Sequence, residues 1–436
     1  MTHVVPRSAV FFFLLTSCTR AFADDVPASA PSTPDLREAL HFSGFVQTDW
    51  TISNLESQDQ LNDATGAPLN QDRFVLRRGH LRADVDYGMV LGALEIDANT
   101  VNGPELRPID AEASFRWPAK PTYDQPYLMA TMGLMRTPFG YEVLEKDNER
   151  PFLERSAVIR ALFPGEFDLG FRLQGGWRFL NYALGLMNGD PIGESAYPDR
   201  DPNHSKDLVF RAGFESSHDD KIRVEGGMSG VSGTGFHPGT PSTKDTLVWR
   251  DVNEDGQVSL DEIQVISGKG ATPSQNFHRF ALGADLRLIF DLPVIGKLTL
   301  RGEIVRGSNL DRAIEVADPV SAGHDLREIG YYLGFTQSVT DYGLFGVRYD
   351  RYNPDSDANV QQGVNLVPSD RTYSTLAFLA GLRYADPMAT KKRAPRYVGR
   401  LLFEYDHNDN ALGVTASGQP TTLASDAAIL RGEVSF

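Results

Sequence analysis

The chain has 436 residues, with 58 acidic side chains against 42 basic ones and a formal net charge of -16. Beyond the N-terminus no run of about 18 apolar residues could cross a bilayer as a helix, and the acidic balance excludes the basic face that nucleic acid requires. A membrane β-barrel stays open, because its strands alternate lipid-facing apolar with lumen-facing polar residues and average out polar; Gly 40, Phe 25 and Tyr 15 against one Cys suit it.

Residues 1–23 read as a signal peptide. Arg7 supplies the positive start, Ala9 to Leu15 the apolar stretch, and Ala21-Phe22-Ala23 a small-x-small cleavage site. Cleavage there leaves 40 basic and 58 acidic residues, a net of about -18, and removes Cys18, so no disulfide is expected. Leu15-Thr16-Ser17-Cys18 also fits a lipoprotein box, which leaves lipidation at Cys18 open. Residues 24–39, rich in Pro, Ala, Ser and Asp, read as a flexible periplasmic leader.

From Leu40 to Phe436 the chain resolves into segments of about ten residues with period-two alternation. Sixteen are expected, near 40–53, 72–87, 89–99, 107–117, 126–135, 169–179, 181–188, 207–216, 221–231, 276–290, 296–307, 326–338, 342–352, 371–385, 395–407 and 426–436. Phe171, Leu173, Gly175, Trp177 and Phe179, for example, alternate with Arg172, Gln174, Gly176 and Arg178. The connections alternate long and short, as external loops and periplasmic turns of a barrel do. The fold expected is therefore an all-β, sixteen-stranded antiparallel transmembrane barrel over 40–436. A large soluble all-β protein is the bland alternative, and it has no reason to alternate its loop lengths.

The stretch from Tyr127 to Asp190 resembles the phosphate-selective porins, the O- and P-type porins of the bacterial outer membrane. The residues that carry the likeness are Gly133-Leu134, Arg136-Thr137-Pro138-Phe139-Gly140, Glu142, Phe152-Leu153-Glu154-Arg155-Ser156, Phe163-Pro164, Asp168-Leu169-Gly170, Gly175-Gly176 and Ala183 to Gly189. Phe42 to Phe45 and Arg77-Arg78-Gly79 look like that family too. The resemblance implies an outer-membrane barrel with its third loop folded into the lumen, a homotrimer, and passive anion-preferring diffusion. The terminal Phe436 likewise looks like the signal that outer-membrane assembly reads.

That third loop is expected at 136–168, with a helix-compatible run from Glu145 to Leu162 between Pro138 and Pro164. Arg136, Lys146, Arg150, Arg155 and Arg160 are its candidate constriction residues, since charges in a narrow section filter ions most strongly. An external lid with a solvated charged face is the alternative. Parity places further arginines on the lumen wall: Arg78, Arg82, Arg116, Arg172, Arg178, Arg211, Arg223, Arg287, Arg301, Arg348, Arg383, Arg400 and Arg431. Such forks suit carboxylate and phosphate oxygens. The same parity brings acids two residues away (Asp84, Glu225, Glu303, Asp350, Glu433), so each arginine could equally stiffen the wall. The nine lysines lie mostly in turns and loops, which favours a general or mildly anion-preferring pore over a phosphate-specific one.

In the expected external loop 232–275, residues 251–262 match a twelve-residue calcium loop. Asp251, Asn253, Asp255, Gln257, Ser259 and Glu262 occupy the liganding positions, and Gly256 the sharp turn. The flanks Thr246–Arg250 and Ile263–Ser267 read as strands, which suits a structural Ca2+ site rather than a helix-pair sensor; a solvated hairpin tip is the alternative. No Gly-x-Ser-x-Gly or His-Glu-x-x-His occurs, and no organic cofactor or enzymatic activity is expected. The rival functions are a calcium-stabilised surface-binding or adhesion barrel with a blocked lumen, and an outer-membrane hydrolase. The partners expected are outer-membrane lipid and small hydrophilic solutes or anions.

Overall fold

A computed structural model describes residues 36–53, 72–119, 125–190, 203–218, 221–249, 256–257, 259–260, 263–386, 395–410, 413–414, 420–422 and 425–436. The expected signal peptide and all but the last residues of the leader lie outside them. Sixteen strands form one closed barrel. The first eight are β1 (Leu40–Ser53), β2 (Arg73–Asp86), β3 (Val90–Asn99), β4 (Glu105–Trp117), β5 (Leu128–Arg136), β6 (Phe167–Trp177), β7 (Leu180–Met187) and β8 (Asp207–His218). The other eight are β9 (Ile222–His237), β10 (Gln275–Leu292), β11 (Gly296–Ser308), β12 (Ile329–Val339), β13 (Gly343–Asn353), β14 (Tyr373–Ala385), β15 (Val398–Asp409) and β16 (Ala427–Ser435).

Each strand pairs antiparallel with the next, and β1 pairs with β16 to close the ring. Closure satisfies the backbone of the first and last strands, which in lipid would otherwise cost several kcal/mol per unpaired group. Gly44 and Phe436 complete it, exchanging two backbone hydrogen bonds of 2.9 Å beyond the last strand residue. Strand ends agree with the period-two reading to within three residues, except that β9 runs on to His237. The loop expected at 232–275 is correspondingly shorter, and Thr246–Trp249 pairs with Ile263–Ile266 inside it as a two-stranded hairpin.

The two faces differ as alternation requires. Outward side chains such as Leu184, Phe210, Met228, Leu282, Ile304, Leu333, Phe378 and Phe403 are exposed on neighbouring strands. A contiguous apolar surface of this kind is a lipid-facing one. Short turns join the strands at one end: Gly88 takes φ 81°, and its N–H donates to the Asp86 carboxylate at 2.7 Å. Arg178 belongs to such a turn and corrects the sequence reading. Its φ is 56°, and its guanidinium lies 5.0 Å from the Trp177 ring centroid, so it is exposed at the rim and not on the wall.

The inward face is not uniformly polar, which parity alone did not anticipate. Met187, Val209, Val231, Ala281 and Val305, from β7 to β11, point inward and are buried. They share one apolar cluster with residues of the connection between β5 and β6.

Candidate functional site: the barrel interior

The connection 137–166 presents Phe139, Val143, Val158, Ile159, Leu162 and Phe163 to that inward apolar patch. Phe139 and Phe163 stack with ring centroids 4.5 Å apart. A second contact lies farther round the ring, where Phe152 and Leu153 pack on inward-facing Ala377, Leu379 and Leu402 of β14 and β15. Burying side chains of this size contributes on the order of 2 kcal/mol each.

Between the apolar contacts, polar wall groups satisfy the segment's backbone. The Ser229 hydroxyl accepts from the Gly140 N–H at 2.9 Å, and Glu303 accepts from the N–H groups of Tyr141 and Glu142 at 3.3 and 3.2 Å. Glu404 accepts from the Leu153 N–H at 2.9 Å, and Asp350 from the Ala157 N–H at 3.3 Å. Arg348, Arg431 and Arg400 donate to the carbonyls of Glu154, Leu153 and Arg150 at 2.7, 2.8 and 3.1 Å. These bonds explain a correction. Of the helix-compatible run 145–162, only Ala157–Leu162 is helical. Pro151 has no N–H and blocks the turn before it, and wall carboxylates take the donors that a helix would have used internally.

The five candidate constriction cations divide into two groups. Arg136 donates to the carbonyls of Val143 and Glu145 at 3.1 and 3.3 Å and lies 4.6 Å from the Phe167 ring centroid. Arg150 is buried against Asp147, and Arg155 is buried against Glu166, with its Nε bonded to the Glu142 carbonyl at 3.1 Å. These three hold the segment's shape. Lys146 and Arg160 are exposed. Lys146 faces Glu149 at 3.9 Å, and Arg160 has no ion pair among the described residues.

Most wall arginines are paired. Arg82 meets Asp84, Glu95 and Asp110 at 2.9, 3.0 and 2.6 Å, and Arg116 meets Asp86 at 2.9 Å. Arg172 lies 3.4 Å from Glu112, Arg211 bonds Asp285 at 2.9 Å, and Arg287 bonds Glu225 at 2.8 Å. Arg223, exposed near the short-turn rim, takes Glu215 and Glu225. Three arginines reach the segment, Arg301 and Arg431 among them in place of the acid two residues along the strand. Arg301 pairs with Glu145 at 3.0 Å rather than with Glu303. Arg431 takes Asp49 at 2.7 Å and Glu154 at 3.0 Å rather than Glu433, and Arg78 takes Glu154 at 3.2 Å. Arg348 keeps Asp350 at 3.3 Å and adds Glu142 at 3.6 Å. Arg400 is bidentate to Glu433, and Arg383 is exposed without an ion pair among the described residues.

Arg77 was missed by parity, which placed it outside. The β1–β2 register shifts between Gln47 and Thr48, opposite Arg78 and Leu76. Such a bulge re-aims a side chain. Arg77 therefore joins Arg78 on Glu154, with two bonds of 2.8 and 2.9 Å. Two consecutive arginines on one strand, Arg77-Arg78, were the only hint available in the sequence.

Of the calcium-type loop, Gly256, Gln257 and Ser259 are described, while Asp251, Asn253, Asp255 and Glu262 lie outside the described residues. Gly256 has φ 81°, the left-handed conformation that the sharp turn at position 6 uses. The expected strand flanks do pair, Thr246–Trp249 with Ile263–Ile266. No group of three His, Cys, Asp or Glu among the described residues is arranged to hold a metal.

No family model matches the chain, and no curated protein does. Solved structures match in fold. The outer membrane channel DcaP of Acinetobacter baumannii is 10% identical, with a TM-score of 0.50 over 91% of this chain and 97% of that one. OmpT of Vibrio cholerae in its trimer form is 7% identical, with a TM-score of 0.48 over 91% and 99%. An anion-selective porin from Comamonas acidovorans is 10% identical, with a TM-score of 0.46 over 91% and 99%. At these identities the likeness is one of fold alone.

Proposed function

We propose that the chain is a passive porin of the bacterial outer membrane that passes small hydrophilic solutes, with a mild preference for anions, phosphate-like ones included. The observation that carries this reading is the combination of an apolar outer surface with a charged inner one, crossed by the segment 137–166. A constriction must be fixed to filter, and this segment is tied to β9, β11, β13, β15 and β16. Its carboxylates Glu142, Glu145, Asp147 and Glu154 are engaged by amides or arginines and Glu149 faces Lys146, whereas Arg160 faces water with no ion pair among the described residues. That difference supports the anion preference.

Export by residues 1–23, assembly as a homotrimer and the absence of catalysis or an organic cofactor belong to the same reading. Purified protein in a planar bilayer is expected to give stepwise conductance in KCl. A preparation that inserts but never conducts would favour the second reading, a barrel whose lumen the anchored segment blocks.

A structural Ca2+ in the loop 251–262 is a further part of the proposal. Asp251, Asp255 and Glu262 would supply its charge, with Asn253, Gln257 and Ser259 completing the set, and the ion would relieve their mutual repulsion at a hairpin tip. Limited proteolysis of the hairpin should slow with millimolar Ca2+ in wild type but not in Asp251→Ala/Glu262→Ala. Equal cleavage in all conditions would leave a solvated tip.

A further inference from the structure

On the short-turn side of the segment 137–166 lies a cavity of about 810 Å³, a volume typical of small-molecule sites. One side of it is cationic. Arg383 of β14 stands directly opposite Arg400 of β15 in the strand register, an arrangement of like charges that is unfavourable on its own. Arg400 is committed: its Nε and Nη2 bond Glu433 at 2.7 and 2.6 Å, and its Nη1 bonds the Arg150 carbonyl at 3.1 Å. Arg383 is exposed, and its side chain makes no ion pair or hydrogen bond among the described residues. Glu433 is thus taken by Arg400, and the Arg383 guanidinium is left without a carboxylate partner among the described residues.

The lining also carries Glu149, Asp291 and Asp341, none of them within ion-pair distance of Arg383. Asp291 stands opposite Lys297 in the register, and Glu149 faces Lys146. The wall beside the two arginines is apolar, with Leu344 of β13 on one flank and Val398 of β15 on the other, and Pro151 of the segment lines the cavity too. A free planar fork beside an apolar wall matches a carboxylate joined to an apolar body. Inorganic phosphate would satisfy the fork and leave the wall wet, and an ammonium compound of the same shape would meet like charge.

We propose that this cavity is a binding subsite for organic monocarboxylates with an apolar body, benzoate being the probe of the right size and shape. Arg383 takes the carboxylate, and Leu344 and Val398 cover the ring. The proposal rests on the channel reading only for the route by which the solute arrives; binding itself does not depend on conduction. The test is a titration of detergent-solubilised protein, followed by saturation-transfer NMR, with benzoate, inorganic phosphate and benzylamine in turn. Benzoate should bind with a dissociation constant at least five-fold below those of the other two. Arg383→Gln should weaken benzoate at least five-fold, and Leu344→Ser should weaken it while leaving acetate unchanged. Arg327→Gln, at an exposed pair with Asp357 in the outer loops, is the control and should change nothing. Retained heat-modifiable gel mobility confirms that each variant is folded. Equal benzoate affinity in wild type and Arg383→Gln overturns the subsite, as does phosphate binding as tightly as benzoate. Failure of the channel reading is seen separately, as absent KCl conductance, and leaves the titration to judge the subsite.

Discussion

An arginine inside a barrel has one of two uses, and its neighbours decide which. Arg150 and Arg155 are buried on Asp147 and Glu166, and Arg155 also bonds the Glu142 carbonyl, so their charge is spent on holding the segment 137–166. Breaking a buried pair of this kind costs about 3 kcal/mol, because the partner charge is left uncompensated. Lys146 and Arg160 touch water instead, Lys146 beside exposed Glu149 and Arg160 with no ion pair among the described residues, and a charge so placed acts on passing ions. Reversing both to Glu is expected to move the reversal potential in a KCl gradient toward cations while leaving the barrel's unfolding midpoint unchanged within error. Arg155→Ala should do the opposite, lowering the midpoint and adding current noise. A reversal potential that ignores Lys146→Glu/Arg160→Glu would remove these two residues from the filter.

The loops that face away from the short turns carry their own ties, and one of them titrates near neutrality. His324, in the connection between β11 and β12, bonds Asp355 in the connection after β13 at 3.1 Å. The Asp355 carboxylate first, and the Ala322 carbonyl second, raise the imidazole above its ordinary 6.5. A raised folded-state pKa means that the tie is fully present below the unfolded value and is lost as pH climbs through the folded one. Amide exchange across 319–328 is therefore expected to lose protection as pH rises above the ordinary imidazole value of about 6.5, beyond the intrinsic pH effect, and His324→Asn should abolish that difference. Identical profiles in wild type and variant would mean that the bond carries no load. Elements were the most legible level of this sequence. All sixteen strands could be read, because alternation is imposed by lipid on one side and water on the other. What could not be read is where that alternation is overruled. Val209, Val231, Ala281 and Val305 face inward because a distant segment covers them, and no local pattern announces a partner far away in sequence. Arg77 points inward because of a one-residue bulge. The run 145–162 has helical composition, but donors within it are claimed by Glu404 and Asp350, which arrive from much later in the chain.

At the scale of the whole molecule, the outward face states what surrounds the barrel. Met132, Met228 and Leu333 are 71%, 68% and 65% exposed on three separate strands, and in water each would leave an apolar side chain solvated with no compensating contact. In hydrocarbon the same positions are at home, and the cost falls on any charge placed among them. Leu333 sits mid-strand on β12, with outward-facing Tyr349 of β13 beside it in the register. Leu333→Arg is therefore expected to lower the unfolding free energy by about 2–4 kcal/mol in phospholipid vesicles, the penalty for an arginine near the bilayer midplane. Val316 supplies the comparison: it is 69% exposed, but it lies in the connection between β11 and β12, beyond the strands. Val316→Arg should cost no more than about 0.5 kcal/mol, as surface substitutions do. Reversible urea unfolding in vesicles, followed by intrinsic fluorescence, measures both. If Leu333→Arg proved as mild as Val316→Arg, the belt would not be facing lipid. The whole assignment of this barrel to a membrane would then fall, whatever fold it shares with channels elsewhere.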